Sequence, residues 1–161
     1  MTTPDRLIIL VGSVTDNALH AAQAIAMDGT DLIPVIEVRP MDGLDTRVFD
    51  EDALFLICTS THGAGDVPEN ARALYESLDS APRYLGHVRY GVVALGDSAY
   101  PQTFCNGGLR FDERLSDLGA QRLGDVFRHD ASMGTDAAEQ ASAWCRDWLS
   151  LVRPAAQTIQ A

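Results

Sequence analysis

Three runs of apolar residues punctuate the chain: Leu-Ile-Ile-Leu-Val at 7–11, Ala-Leu-Phe-Leu-Ile-Cys at 53–58 and Gly-Val-Val-Ala-Leu at 91–95. They are too short for helices and too continuous for strands with one wet face. Such runs, rich in branched side chains, mark strands buried on both faces, as in the middle of a parallel sheet. A fourth run, 32–38, carries Pro34, which has no N–H for a sheet ladder and therefore points to an edge. A weaker fifth strand is expected over 122–128. Between these runs the apolar period changes from continuous to helical. Ala71, Leu74, Tyr75 and Leu78, and then Ala141, Trp144, Cys145, Trp148, Leu149 and Val152, recur at the i, i+3, i+4 spacing of one helix face. Asp66 three residues before Glu69, with Pro68 between, and Asp136 three residues before Glu139 read as helix starts. Gly119 reads as the C-cap of a helix carrying Phe111, Leu115 and Leu118. An alanine-rich first helix is expected over 17–27, with Leu19, Ala22 and Ala26 on its pattern.

Strands alternating with helices imply parallel pairing through right-handed crossovers, hence an α/β doubly wound sheet with helices on both faces. Five strands fit, and the proline-bearing second strand belongs outside, which gives the order 2-1-3-4-5. With 161 residues, 46% of them hydrophobic, the chain has material for one core. A single domain over 1–161 is expected, with its core at about 6–152 and loose tails at 1–4 and 154–161.

Charge and residue usage then narrow the chemistry. The net charge of −11 is wrong for neutralising nucleic-acid phosphates and suits a basic protein partner, although it serves solubility equally. All twelve basic residues other than histidine are arginine, so the lysine of a Walker phosphate loop is missing, as is the lysine a phosphorylatable signalling receiver needs. Cys58, Cys105 and Cys145 are widely spaced and read as buried thiols, and the four histidines show no ligand spacing, so no metal site is expected. No apolar run approaches the ~20 residues of a membrane-spanning helix, and no signal-type segment opens the chain, so a cytoplasmic protein without membrane contact is expected.

In a sheet of this order the ligand crevice opens at the carboxyl ends of strands 1 and 3, where the winding reverses. Three loops meet there, at 12–18, 59–66 and 96–106. The first, Gly-Ser-Val-Thr-Asp-Asn-Ala, sets hydroxyls and amides at a helix N-terminus, a cradle for phosphate or an ordinary cap. Asp16 suits a phosphate only if its carboxylate points away. The second carries Gly63 and Gly65, which permit a planar ligand to approach the backbone or simply a tight turn, with His62 beside them. The third supplies Tyr100 and Phe104, aromatic rings that stack on a flat ligand or fill core.

Taken together these loops resemble a known family. Ser-Thr-His-Gly-Ala-Gly-Asp-Val-Pro-Glu-Asn at 60–70 resembles the flavin loop of flavodoxin-like domains. Ala-Leu-Gly-Asp-Ser-Ala-Tyr at 94–100, with Phe104-Cys105, Phe111-Asp112-Glu113-Arg114-Leu115 and Leu118-Gly119-Ala120, is similar to the matching segment of sulfite reductase and cytochrome P450 reductase flavodoxin domains. His62 stands where those diflavin reductases carry tyrosine, and the chain ends after one such domain, so it is most similar to small single-domain flavodoxins of the MioC type. The resemblance spans nearly all of 6–152 and departs at Asp16, where the family usually has glycine.

That resemblance implies an electron carrier that binds FMN and is not itself an enzyme. By it, Ser13, Val14, Thr15, Asp16, Asn17 and Ala18 hold the phosphate, largely through main-chain amides. Ser60, Thr61, His62, Gly63, Ala64 and Gly65 line one side of the flavin ring, and Leu95, Gly96, Asp97, Tyr100, Phe104 and Cys105 the other. Tyr100 is expected to be the main stacking ring and the Gly63 carbonyl the partner of flavin N5. The implied partners are a basic, NADPH-dependent flavin reductase and a redox acceptor enzyme, with the carrier a monomer. Two other readings stay open: a cofactor-free interaction module, and an FMN-dependent NAD(P)H:quinone-type reductase, for which no second nucleotide fingerprint is visible.

Overall fold

The buried runs form the strands expected of them. β1 (Arg6–Gly12), β3 (Leu54–Thr59) and β4 (Arg89–Gly96) lie side by side in parallel, and β2 (Val35–Pro40) pairs outside β1. The computed structural model describes residues 5–13, 16–61, 67–99, 102 and 104–160, with side chains as far as Leu151. Strand order is 2-1-3-4-5, as the pattern of runs requires. Register puts Gly12 level with Thr59, and Thr59 level with Ala94, so the three inner strands end together at one rim.

Alternate residues of the inner strands feed two separate cores. Leu7, Ile9, Val11, Leu54, Leu56, Cys58, Val93 and Leu95 meet α1 (Asn17–Asp28) and α4 (Ala137–Gln160) on one face. Ile8, Leu10, Phe55, Ile57, Tyr90, Val92 and Ala94 meet α2 (Arg72–Ser80) and α3 (Asn106–Asp117) on the other. The period-2 alternation of side chains along a strand is what divides a continuous apolar run between two layers. All three cysteines are buried and free, as their spacing implies.

Several boundaries differ from the expectation. The edge strand starts after Pro34, at Val35, and closes on Pro40. It is pinned by charge, with Arg39 paired to Glu37 and Glu51, and Arg6 reaching the same two carboxylates at 3.2 Å. The second helix begins at Arg72, preceded by a 3-10 turn at Glu69–Ala71, and Asp66 lies outside the described residues. The fifth strand is broken into β5 (Gln121–Arg122) and β6 (Phe127–Asp130), both parallel to β4. Gly124, at φ +75°, turns the chain out of the ladder, and the Trp148 indole N–H takes the Leu123 carbonyl at 2.7 Å. The last helix runs through Pro154 to Gln160, where a loose tail is expected. Two end signals hold: Asp136 Oδ1 accepts the Ala138 amide at 3.0 Å, and Gly119, at φ +96°, follows α3 with the Ala120 amide donating back to Leu115 at 3.0 Å.

Candidate functional site

The rim where β1, β3, β4 and β6 end gathers the three loops that the sequence singles out. Of the residues expected to form the site, Val14, Thr15, His62, Gly63, Ala64, Gly65 and Tyr100 lie outside the described residues. The remainder converge. Ser13 follows β1 and is half-buried; Asp16 and Asn17 are exposed at the start of α1; Ala18 is buried in its first turn. Ser60 and Thr61 leave β3 half-buried, and Gly96 and Asp97 leave β4 likewise.

On the first loop two observations bear on an anion. The Ser13 hydroxyl is buried and has no hydrogen-bond partner, a costly arrangement for a polar group unless something fills it. Asp16 occupies the N-cap position of α1 without using its side chain as a cap, which leaves first-turn amides of α1 free of a carboxylate acceptor from that residue. Its φ of −79° lies in a region open to any residue, so the backbone here does not require the glycine that the family usually has. Ser13's own amide is already taken, at 2.9 Å, by Asn70 Oδ1. The role left to Ser13 is therefore that of its hydroxyl.

Asn70 closes a second ring of contacts. Its amide group donates to the Val11 carbonyl and to Asp42 Oδ2, each at 3.2 Å, so three hydrogen bonds from one side chain tie the end of β1 to the loop after β2 and the approach to α2. Ser60 is anchored in the same spirit, its amide donating to Gly12 O at 3.0 Å. Thr61 bridges the second and third loops: its hydroxyl donates to Leu95 O at 3.1 Å and accepts the Gly107 amide at 3.0 Å. This approach is possible because Gly107 has no side chain, for a Cβ there would stand 2.3 Å from Ser60 O.

The third loop is held from beneath. Cys105 is fully buried, its thiol directed to the carbonyls of Ala94 at 3.3 Å and His129 at 3.8 Å, and burial pushes that thiol up to about 11. Phe104 is partly buried and packs against the α2/α3 core. At the front of the loop Asp130 Oδ1 accepts the Ser98 amide at 2.9 Å, and Ser98 and Ser132 share a hydroxyl contact of 2.7 Å. Neither Asn70 nor Asp130 is among the residues expected from the loops. Asn70 was visible as the last residue of the 60–70 motif; Asp130 had no signal, since its partner on the loop is 32 positions away.

A flavodoxin family model matches residues 9–144, which takes in the rim end of β1, all of β2 to β6 and every loop of the rim. The chain belongs to the flavodoxin family. Among its relatives, this flavodoxin is 38% identical over 148 residues to flavodoxin YqcA of Pectobacterium carotovorum subsp. carotovorum, covering 89% of this chain and 95% of that one. It is also 38% identical over 152 residues to the sulfite reductase (NADPH) flavoprotein alpha-component of a Shewanella species, with 93% of this chain matching 24% of that much longer protein. Among solved structures, a Streptococcus pneumoniae flavodoxin superposes with a TM-score of 0.76 at 26% identity, over 90% of this chain and 95% of the other. A mutant flavodoxin from Pseudomonas aeruginosa gives a TM-score of 0.72 at 28% identity, over 90% and 97%. Flavodoxins are electron carriers, and membership implies a bound flavin. The orphaned Ser13 hydroxyl, at the end of β1 before a helix N-terminus, fits the phosphate of FMN. Among the described residues no helix is long and apolar enough to cross a membrane, and no cluster of side chains could hold a metal ion.

Proposed function

We propose that this flavodoxin binds one FMN at the carboxyl rim of its sheet and carries single electrons from a basic, NADPH-dependent flavin reductase to an acceptor enzyme. The observation that carries the reading is the buried Ser13 hydroxyl without a partner, at the mouth of α1 in a chain of this family. Ser13 and Thr15 supply hydroxyl donors to the phosphate, and residues 14–18 supply amides at the positive end of the α1 dipole. Asp16 is exposed, which allows its carboxylate to turn to water. Residues 60–65 line one side of the flavin ring, Thr61 being fixed by Leu95 O and Gly107 N. Leu95, Gly96, Asp97, Tyr100 and Phe104 form the other side, and buried Cys105 supports them from below.

The bound flavin supplies the redox chemistry, taking up and releasing electrons singly. The protein's part is to exclude water from one face of the ring, fix its orientation and surround it with negative charge. A net charge of −11 favours encounter with a basic partner and makes that encounter sensitive to salt. No residue is required as acid, base or nucleophile. The test is titration of the purified full chain with FMN, followed by flavin fluorescence quenching and calorimetry. Saturation at one FMN per chain is expected; a folded sample that takes up none would leave a cofactor-free interaction module in its place, and oxidation of NADPH by the loaded protein alone would favour a quinone-type reductase.

A further inference from the structure

The turn at 97–99 has little to hold it by packing. Ser98 and Ala99 are exposed and Asp97 is half-buried, so burial does little to fix the path of the chain as it leaves β4. Hydrogen bonds must do so. Asp97 makes a local one, its Oδ1 accepting the Ala99 amide at 2.9 Å. The others come from across the sheet. Parallel register sets Asp130, the last residue of β6, level with Gly96, the last of β4. From there one carboxylate oxygen, Asp130 Oδ1, accepts the Ser98 amide at 2.9 Å, the Ser132 amide at 3.0 Å and the Ser132 hydroxyl at 2.8 Å. The Ser98 and Ser132 hydroxyls close the ring at 2.7 Å.

Three donors on one oxygen favour an ionised acceptor, and they hold the Asp130 carboxyl well below the usual carboxylate range, the bonds from Ser98 contributing most. The far end of the same loop is fixed to the same pair of strands by Cys105, through Ala94 O on β4 and His129 O on β6. We propose that Asp130 is a positioning residue for FMN: it does not touch the cofactor but sets the shape of the 97–99 turn, and through it the path of the chain that leaves β4 at the rim. This inference rests on the FMN site proposed above.

Because Ser98 and Ser132 are exposed, their freed donors turn to water when the Asp130 carboxylate is removed, so folding loses little. Binding loses more, since FMN must then order the turn itself. A merely structural residue gives the opposite pattern. In the full chain, Asp130→Ala is expected to raise the FMN dissociation constant by about tenfold, equivalent to about 1.4 kcal/mol, while the melting temperature of the apoprotein stays close to that of the unaltered chain. Asp130→Asn keeps an oxygen acceptor at the same place and is expected to restore affinity to within about threefold. An Asp130→Ala dissociation constant equal to that of the unaltered chain overturns the proposal, as does an equal loss in Asp130→Asn. If Asp130→Ala does not fold, Ser132→Ala decides: weaker FMN binding supports the positioning role and unchanged binding overturns it. If the unaltered chain takes up no FMN, the site reading fails by itself, and amide exchange at Ser98 in the apoprotein then tests the latch. Faster exchange in Asp130→Ala than in Asp130→Asn supports it, and equal exchange overturns it.

Discussion

Gly107→Ala probes the point where the second and third loops are pressed together. The new Cβ stands 2.3 Å from Ser60 O and 3.3 Å from Thr61 Cα. Carbon and carbonyl oxygen tolerate about 3.3 Å, so α3 and the β3 loop must part by about 1 Å, and both contacts on the loop side are backbone, which yields less readily than a side chain. Overpacking of this kind costs about 1–3 kcal/mol. Alanine returns part of that, up to about 1 kcal/mol, as the better helix former. A net loss of about 1–2 kcal/mol lowers the melting temperature of a chain this size by about 2–8 °C. The same displacement strains the bond from the Gly107 amide to Thr61 Oγ1, now 3.0 Å. Its loss is worth about 1 kcal/mol, or about fivefold in FMN affinity. Thermal denaturation of the apoprotein and a fluorescence titration with FMN read the two effects separately. A variant that melts at or above the original temperature with unchanged affinity would refute the close approach of α3 to this loop.

Ser13→Ala removes a buried hydroxyl that the protein alone does not satisfy, so the apoprotein should melt at the same temperature or slightly higher while FMN binds about 5- to 30-fold more weakly; equal affinity, measured by quenching, counts against Ser13 as a phosphate donor. Burial pushes the thiols of Cys58 and Cys145 up to about 12 and that of Cys105 up to about 11. None of the three should react with a thiol-titrating disulfide at pH 8 until denaturant is added, and rapid labelling of the native protein would contradict their placement. Glu51 is held below the usual carboxylate range, first by Arg39 and also by Arg6, so its contribution is present above its unfolded value of about 4.3 and lost as the pH falls through the folded one. Glu51→Gln should therefore lower the melting temperature at pH 7, by a difference that narrows as the pH falls below about 4.3; a difference that stays constant as the pH falls would show that the ion pairs with Arg39 and Arg6 are not its source.

The central strands and both cores were legible because burial on two faces leaves a plain mark, a run of apolar residues with no polar break. Asp136 and Gly119 were legible too, since a cap is a contact between residues two to five positions apart. The breaks in the pattern were not. The turn at Glu69–Ala71 replaces a first helical turn where Asn70 is spent on Val11, Ser13 and Asp42, and Ser13 lies 57 positions away, so no local window contains the reason. The split of the last strand depends on Trp148, a residue of α4, capturing a carbonyl at Leu123. At the rim the loops themselves could be picked out, hydroxyls and glycines first, but the residues that hold them, Asn70 and Asp130, act only through partners that the fold brings near. Pro34 was read with the right consequence at the wrong place: the strand is at the edge, yet it is Pro40 that belongs to it.

The interruption between Arg122 and Phe127 gives this molecule a natural graft point. Asp125 is exposed, Gly124 already turns the chain outward, and the ladder to β4 has lapsed there. Lengthening a surface loop costs only about 0.6 kcal/mol per doubling, so a peptide spliced after Asp125 leaves both flanking strand pairings intact. The same splice between Asp97 and Ala99 would sever the tether to the neighbouring strand. One molecule thus carries, on adjoining segments of its sheet, a joint that accepts added chain and a turn that does not.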